Sequence, residues 1–274
     1  MNTNVNTQKL GDIPETMLVS LWCRAMESKS KNPILIDKDA EKCIDSIDYD
    51  FSKLGNPRMS IVGSAIRAKL IDQEAKEFIA KNPDAVVIQL GTGLDARFDR
   101  IGRPKVTHWY DLDLPETIEI RKKLLSESEN NTFVSMSLFD NDWIDMVLAY
   151  NKPILIIIEG VLMYFSEDEV KGFLKKICEK IPKATFLLDI LAYKLVGHAK
   201  SHDAVSKTKG NAEFKWSILN TKDLESWHKK LHLGKEYYMS RYDEGKYVFI
   251  ARMLYKIPVF RRNFDQRVVR LEIY

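Results

Sequence analysis

The sequence predicts an α/β fold in which helices cover both faces of a mostly parallel β-sheet. Short apolar segments alternate with helical segments over residues 84–190, and this alternation is typical of parallel sheets. The segments are apolar at nearly every position rather than at every second one, as expected for strands buried on both faces. The first of them leads directly into a glycine-rich turn, and in such folds this turn lies beside a bound ligand.

Two helices are predicted before the first strand. Residues 15–27 carry apolar side chains at helical spacing, and residues 60–80 form a second helical segment that stops before Asn82 and Pro83. Since residues 1–82 contain no predicted strand, we expect them to form a helical N-terminal cover.

Five strands and the helices between them are predicted for residues 84–190, the cofactor-binding core. The strand sequences, in chain order, are AVVIQL, VTHWYDLD, TFVSMSL, PILIII and ATFLLDI. A helix is expected from about Leu114 to Leu125, after the second strand. Another is expected after the fourth strand, where Ser166 and Glu169 have the spacing of a capping box.

The alternation of strands and helices is interrupted after residue 190. Residues 191–218 are polar and rich in lysine, and they are predicted to form an inserted loop that acts as a lid. Residues 219–274 are predicted to contain a helix from Thr221, the strands GKEYYMS and RVVRLEIY, and an amphipathic helix between these strands. No internal repeat is visible, so we expect residues 1–274 to form a single domain.

The composition limits the classes of partner. Of the 274 residues, 45% are hydrophobic and 30% are charged, as in ordinary soluble proteins. The formal net charge of +3 is too small to indicate a nucleic acid partner. The longest apolar stretch contains Glu159 and is too short to cross a membrane. The three cysteines lack metal-site spacing and are typical of reduced thiols. We therefore expect a cytoplasmic protein that binds neither nucleic acid nor membrane, and the sequence predicts no oligomeric state.

The turn after the first strand, within VVIQLGTGLDAR, has a pattern found in nucleotide-binding folds. Gly91, Gly93 and Ala96 match G-x-G-x-x-A, in which glycines let the backbone approach a ligand that a side chain would block. Asp111 and Asp113 follow at the spacing expected for residues that bind ribose hydroxyls. The pattern fits a dehydrogenase as well as a methyltransferase, and a tight turn without a ligand has the same appearance.

Two acidic residues favour S-adenosylmethionine over a dinucleotide as the ligand. Asp95 lies two residues after the second glycine, Gly93. A pyrophosphate is best bound by a helix N-terminus without nearby anions, so an acid at this position disfavours a dinucleotide. Glu159 adds a second carboxylate at the end of the most apolar strand. The sulfonium and ammonium groups of S-adenosylmethionine are cations, which carboxylates attract.

Three sequence blocks, LGTGLDARFDR, WYDLDLPE and IIIEGVLMYFSEDEV, occur in this order and spacing. Together they resemble the leucine carboxyl methyltransferase family, and most strongly its bacterial branch of tetracenomycin-type polyketide O-methyltransferases. The resemblance covers residues 15–190 well and the remainder more loosely. It implies a class I adenosylmethionine-dependent methyltransferase fold, which is Rossmann-like and has a seven-stranded, mostly parallel sheet.

The resemblance also implies a set of cofactor-binding residues. Gly91 and Gly93 would form the turn under S-adenosylmethionine. Asp113 would bind the ribose hydroxyls, with Asp111 beside it. Glu159 would lie against the cofactor.

Further residues are assigned by the same resemblance, with less regular matches. Arg67 matches, across a gap of one residue, an arginine that holds the methionine carboxylate in family members. Ser137 and Leu138 stand where the family often has an aspartate before a leucine, near the adenine. Tyr164 is not assigned by the resemblance; because it follows the Glu159 block, we expect it to point into the cleft and either to orient a substrate oxygen or to pack at a helix start.

The sequence therefore predicts an S-adenosylmethionine-dependent O-methyltransferase that acts on a small molecule. A carboxylate acceptor is ionised at neutral pH and needs no base, whereas a phenol needs one. No base is apparent in the sequence, so this absence and the family resemblance both favour a carboxylic acid as acceptor. No metal site is predicted, because His198 and His202 lack a third ligand block. The alternatives are an NAD(P)-dependent oxidoreductase and a non-catalytic adenosylmethionine-binding protein.

Overall fold

The computed structural model describes residues 5–6, 12–201, 204–208 and 212–274. The central sheet has seven strands: β1 Val86–Leu90, β2 His108–Asp113, β3 Asn131–Ser135, β4 Ile154–Ile158, β5 Ala184–Ile190, β6 Leu231–Tyr238 and β7 Arg267–Ile273. Their spatial order is β3-β2-β1-β4-β5-β7-β6, with β1 to β5 parallel and β7 antiparallel to both neighbours. The predicted seven-stranded, mostly parallel sheet is confirmed. The strand order changes direction between β1 and β4, where open α/β sheets bind ligands.

Helices surround the sheet. In the described residues they are α1 Asp12–Ser28, α2 Lys38–Ser46, α3 Arg58–Lys81, α4 Arg97–Arg100, α5 Pro115–Leu124, α6 Asp142–Leu148, α7 Glu167–Lys180, α8 Phe249–Tyr255 and α9 Pro258–Phe264. The two predicted N-terminal helices are confirmed as α1 and α3, but α2 was not predicted, and Val5–Asn6 and Ile47–Asp48 form a short parallel pair of strands where the sequence predicted none. None of the helices described here is both long enough and apolar enough to span a membrane.

The uniform apolar character of the strands follows from the helices on both faces of the sheet. Ile88 and Ile156 pack into a core on one face together with Trp143 of α6. The adjacent residue Val87 points to the other face, where it packs against Ile66 of α3. Successive strand residues point to opposite faces, so both sets must be apolar when both faces are covered. Burial of each large apolar side chain contributes about 1.5–3 kcal/mol.

Local signals explain several helix boundaries. The capping box before α7 is confirmed, since Ser166 Oγ accepts from Glu169 N and Glu169 Oε2 accepts from Ser166 N at 2.7 Å. The third strand was predicted to extend to Leu138, which is too far toward the C-terminus. β3 stops at Ser135, and Ser137 N instead donates to Asp140 Oδ2 at 2.9 Å in the following turn.

The C-terminal region differs from the prediction in three respects. The helix expected from Thr221 is a 3₁₀-helix over Thr221–Trp227, and β6 begins at Leu231 rather than at Gly234. The connection between β6 and β7 contains two helices, α8 and α9, where the sequence predicted one.

Residues 191–218, the predicted lid, contain short 3₁₀ turns rather than long helices in their described part. Phe214 and Trp216 are buried, and Lys207 Nζ donates to Leu54 O at 2.8 Å. This packing fixes much of the segment to the domain. Its role as a lid stays a prediction, as does the division of the chain at 82, 190 and 218.

Candidate cofactor-binding and acceptor site

A cleft of about 1440 Å³ lies at the carboxyl ends of the parallel strands. Its floor is formed by the turn after β1 and by residues at the ends of β2, β3 and β4, and its walls include side chains of α1 and α3. Small-molecule sites usually have volumes of about 300–1,000 Å³, so this cleft has room for a cofactor and an acceptor together.

The glycine turn forms part of the floor as predicted. Gly91 and Gly93 have φ values of +67° and +52°, a left-handed conformation that favours glycine. A β-carbon at position 91 would collide with Val161 Cγ2. Asp113 closes the turn from β2, since its Oδ2 accepts from Gly93 N at 2.7 Å and its Oδ1 from Leu114 N at 2.8 Å. Burial raises the pKa of Asp113, although these backbone N–H groups oppose the shift.

Asp111 lies below the turn rather than in the cleft. Its side chain is fully buried, and it is not among the cleft-lining residues. The donors to its two oxygens are Thr92, Trp109, Arg121 and Asn131. Arg121 Nη1 also donates to Gly93 O at 3.0 Å and to Asp95 O at 2.9 Å, so the Asp111–Arg121 pair fixes the turn from beneath. In the structure Asp111 holds the turn through Arg121, and its predicted place beside the cofactor stays a prediction.

A buried network of charges underlies the cleft. It consists of four arginines and five carboxylates, namely Arg24, Arg67, Arg97, Arg100, Asp37, Asp72, Asp95, Glu159 and Asp189. With four positive and five negative side chains, the network carries one net negative charge. Since an unpaired buried charge is costly, this mutual pairing is a condition for the fold. Arg24 lies on α1, Arg67 and Asp72 lie on α3, and Arg97 and Arg100 lie on α4, so the network also fixes the helical cover to the core.

Glu159 lies between two arginines at the end of β4. Its Oε1 accepts from Arg67 Nε at 2.9 Å, and its Oε2 accepts from Arg97 Nη2. Burial alone would raise the pKa of Glu159, but the guanidinium groups of Arg97 and Arg67 outweigh it and hold this pKa below its usual value. Glu159 lines the cleft and is therefore an ionised carboxylate at its floor.

Arg67 lies on α3 and lines the cleft, and its contact with the methionine carboxylate stays a prediction. Besides Glu159 it contacts Asp189, whose Oδ2 accepts from Arg67 Nη1 at 3.1 Å, and its Nη2 lies 3.4 Å from Ser20 Oγ. Asp189 also accepts from Gly160 N at 2.7 Å. Asp189 was not predicted, although its position at the end of the apolar strand ATFLLDI parallels that of Glu159.

Asp95 differs from the expectation based on the sequence. Its Oδ1 accepts from Arg100 Nη1 at 2.5 Å, its Oδ2 accepts from Gln89 Nε2 at 3.0 Å, and Arg97 Nη2 lies 3.2 Å away. Although burial alone would raise the pKa of Asp95, Arg100, Arg97 and Arg24 hold it well below its usual value. The charge of Asp95 is thus neutralised within the protein rather than left for a cationic ligand.

Ser137 and Leu138 line the cleft after β3, and their contact with the adenine stays a prediction. Ser137 Oγ accepts from Phe139 N at 3.2 Å. Leu138 is buried, and its carbonyl oxygen accepts from Trp143 Nε1 at 3.0 Å. Leu138 thus supplies an apolar wall near the end of β3.

The other end of the cleft is apolar and aromatic. Tyr164 lies in its wall, and its ring centroid is 5.8 Å from that of Phe214. Burial raises the pKa of Tyr164, although the Thr16 side chain and Arg67 oppose the shift. The hydroxyl therefore stays protonated and can donate a hydrogen bond. From α8 and α9, the lining side chains are Ile250, Ala251, Leu254, Tyr255, Phe260 and Phe264. We call this part of the cleft, bounded by Tyr164 and these two helices, the acceptor end.

No metal centre is formed by the residues whose positions the structure defines, because no group of three or more metal-ligating side chains comes together there. His202 and the adjacent Asp203 lie outside the described residues. His198 Nδ1 lies 2.8 Å from Val196 O.

Comparisons with known proteins agree with the resemblance described above. A family model for leucine carboxyl methyltransferase matches residues 17–178. Tetracenomycin polyketide synthesis O-methyltransferase TcmP of Streptomyces glaucescens is 33% identical over 220 residues, which cover 80% of this chain and 80% of that protein. The S-adenosyl-L-methionine-dependent methyltransferase dpfgK of Gibberella zeae is 30% identical over 60% of this chain and 59% of its own length.

Solved structures show the same fold at low sequence identity. A DUF574 family protein from Streptomyces avermitilis aligns with a TM-score of 0.56 at 11% identity, over 93% of this chain and 97% of that chain. Magnesium protoporphyrin IX methyltransferase ChlM from Synechocystis, solved with bound SAH, aligns with a TM-score of 0.50 at 9% identity, over 96% and 98% of the two chains. On the strength of the family model and the similarity to TcmP, the chain belongs to the leucine carboxyl methyltransferase family.

Proposed function

We propose that this protein transfers the methyl group of S-adenosylmethionine to an oxygen atom of a small-molecule acceptor. Its family makes it a methyltransferase, and S-adenosylmethionine is the cofactor. The observation that carries the proposal is a single cleft in which a charged floor at the glycine turn continues into the acceptor end. The similarity to TcmP, which is named as an O-methyltransferase of polyketide synthesis, supports oxygen as the atom that is methylated.

The cleft residues fit the chemical groups of S-adenosylmethionine. Asp113 would accept hydrogen bonds from the ribose hydroxyls, because it lies at the turn and lines the cleft. Arg67 would hold the methionine carboxylate through Nη2, whose hydrogen bond to Ser20 Oγ is long, at 3.4 Å. Glu159 would attract the cationic ammonium and sulfonium groups. Ser137 and Leu138 would lie against the adenine.

Bound S-adenosylmethionine supplies a methyl carbon that is already activated by the sulfonium. The protein's task is therefore to align the acceptor oxygen and to exclude water, and such alignment lowers barriers by several kcal/mol or more. Tyr164 would donate a hydrogen bond to the acceptor. The apolar side chains of α8 and α9 would keep water from the acceptor end.

Two classes of acceptor oxygen fit this function. A carboxylate, which the sequence predicted, would react without a base, whereas a hydroxyl must lose a proton to one. The choice depends on whether the acceptor end contains a basic group.

Isothermal titration with S-adenosylmethionine and, separately, with NAD tests the cofactor assignment. We expect binding of S-adenosylmethionine and none of NAD, because the one net negative charge of the network under the cleft favours a cationic ligand over a pyrophosphate. Binding of NAD alone would favour the oxidoreductase instead. Tight S-adenosylmethionine binding with no methyl transfer to any acceptor would favour the non-catalytic alternative.

Asp113→Ala is expected to weaken S-adenosylmethionine binding by about 1–3 kcal/mol, the usual effect of losing a hydrogen bond to a charged group. Titration calorimetry measures the affinity, and thermal unfolding reports on the fold. A suitable control is Glu119→Ala on α5, which removes an exposed carboxylate paired with Lys123. Unchanged affinity together with a large drop in Tm would mean that Asp113 serves only the glycine turn.

A further inference from the structure

Helices α8 and α9 have one side in the cleft and another in the solvent. The side in the cleft belongs to the acceptor end. On α8, Phe249 and Met253 are exposed and do not line the cleft, and because they are one turn apart they share a helix face. The residues of these helices and of the turn between them that are exposed and do not line the cleft are called the outer face here. They are Phe249, Arg252, Met253, Lys256, Ile257, Pro258, Val259 and Arg262.

The outer face groups apolar side chains that are open to solvent. Phe249 and Val259 are each 72% exposed, and neither α8 nor α9 contains a buried residue. Within the described part of the chain, more than half of the exposed large hydrophobic side chains fall in residues 248–264. Such a concentration of exposed apolar surface marks a site that interacts with a protein or with a membrane.

The charges of the outer face are all positive. Arg252, Lys256 and Arg262 are exposed, and Arg261 beside them is partly buried. Residues 247–264 contain no aspartate or glutamate. The formal net charge of the whole chain is only +3, so the four cations of this segment exceed it. Basic side chains next to apolar ones are typical of helices that lie in the interface of an anionic membrane.

Charge and side-chain chemistry separate the partners that such a face can bind. In a two-fold dimer a second copy of the chain would bring the same basic face against itself, and the like charges would repel. An acidic protein would match the cations, but protein interfaces also contain many direct hydrogen bonds between polar groups. The outer face instead presents apolar side chains and cations, which match the acyl chains and the phosphate groups of anionic lipids.

We propose that the outer face docks on an anionic lipid membrane, with its apolar side chains among the lipids and its cations at the headgroups. The small net charge of the chain argued against a membrane partner, but the charge is concentrated beside apolar surface. The opposite side of the same helices lines the acceptor end, so docking brings that end to about 10 Å from the lipid, the diameter of one helix. This position suits an acceptor with an apolar body that is dissolved in the bilayer, a consequence that rests on the proposed methyl transfer.

Sedimentation of the full chain with vesicles tests the docking and needs neither cofactor nor acceptor. The vesicles contain phosphatidylcholine alone or phosphatidylcholine and phosphatidylglycerol in equal parts. We expect the anionic vesicles to bind the protein at least about tenfold more strongly, and this binding should weaken as salt rises from about 0.1 to 0.5 M. Absence of binding to the anionic vesicles would overturn the proposal.

Phe249→Ser tests the apolar part of the outer face. We expect it to lower the affinity for anionic vesicles by about tenfold, because one inserted apolar side chain is lost. The control is Ile36→Ser, which removes an exposed apolar side chain before α2 and should leave vesicle binding unchanged. Both variants should bind S-adenosylmethionine as wild type does, which shows that they are folded.

Arg252→Gln combined with Lys256→Gln tests the basic part. Each cation near an anionic surface contributes about a fivefold increase in affinity, so we expect the double variant to bind anionic vesicles about 10- to 30-fold more weakly. The control combines Lys105→Gln with Lys122→Gln, which removes two exposed lysines elsewhere and changes the net charge equally. Equal losses for the two double variants would mean that total charge and not the outer face attracts the protein, and would overturn the proposal.

Two further outcomes would assign the outer face to a different partner and overturn the membrane proposal. If the loss of the cations abolishes vesicle binding but Phe249→Ser does not change it, no side chain enters the lipid, and the face fits an acidic protein instead. If analytical ultracentrifugation shows a wild-type dimer that Phe249→Ser dissociates, the face binds a second copy. Vesicle binding by a protein that transfers no methyl group would contradict the proposed function and not the docking.

Discussion

Arg97→Met is expected to lower the free energy of unfolding by about 3–5 kcal/mol at pH 7, the range for removing one partner from a buried ionic network. The Arg97 side chain is 0% exposed. Its Nε donates to Asp72 at 2.7 Å, and its Nη2 contacts both Asp95 and Glu159. Methionine retains much of the apolar volume but leaves these carboxylates with fewer cationic partners.

Urea unfolding followed by circular dichroism measures this loss. The matched control is Arg103→Met, because the Arg103 side chain is 70% exposed and pairs with Asp99 one turn away. For such a surface pair we expect a loss of about 0–0.5 kcal/mol. Equal losses for the two variants would contradict the view that the network stabilises the fold.

The pH dependence provides a second check on the Arg97 prediction. Arg97 helps to hold the pKa values of Asp95 and Glu159 below their usual values in the folded protein. The stability that results is present above the unfolded pKa of about 4 and is lost as pH falls through the lower folded values. The difference between wild type and Arg97→Met should therefore be largest near neutral pH and should shrink below about pH 4.

The arginine network shows what sequence patterns can and cannot predict for this site. Glu159 could be placed at the cleft from the apolar strand that precedes it, and Gly91 from the turn pattern. The charged network around Glu159 could not be predicted from local patterns. Arg97 contacts Asp72 of α3, which lies 25 residues away in sequence, only in the folded chain. The predicted cofactor, S-adenosylmethionine, is confirmed. The reason given for it does not hold, because Asp95 and Glu159 are not free carboxylates but are paired with arginines.

The accuracy of the fold prediction follows the strength of the local signals. The uniformly apolar β4 and the capped α7 were predictable because burial on both faces and a capping box leave clear patterns. Helix α9 was missed, although Pro258 stands at its first turn, a common start signal. Asp265, a buried carboxylate that lines the cleft, was missed as well, because its relation to the cleft depends on the antiparallel pairing of β7 with β5, which no local pattern reports.

Arg67→Ala is expected to weaken S-adenosylmethionine binding by about 2–5 kcal/mol, the range for truncating one partner of a buried, hydrogen-bonded charge pair. Arg67 is 11% exposed and lines the cleft, and its Nη2 lies beside Gly160 at the end of β4. Glu159 and Asp189 engage its Nε and Nη1 and so hold the guanidinium in one orientation. Arg67→Lys should recover only part of the affinity, since an ammonium group cannot contact two protein acids and a ligand carboxylate in the same geometry.

Truncation of Arg67 also leaves Glu159 and Asp189 without their shared cation, so a loss of affinity alone would not identify the contact. Decarboxylated S-adenosylmethionine resolves this, because it lacks only the carboxylate. Wild type should prefer S-adenosylmethionine to this analogue, and Arg67→Ala should abolish the preference, as measured by titration calorimetry of both ligands. Asp189→Asn serves as the control: it disturbs the network but keeps the guanidinium, so the preference should persist. If Arg67→Ala weakens both ligands equally, the methionine carboxylate is bound elsewhere, and Arg67 only joins α3 to the ends of β4 and β5.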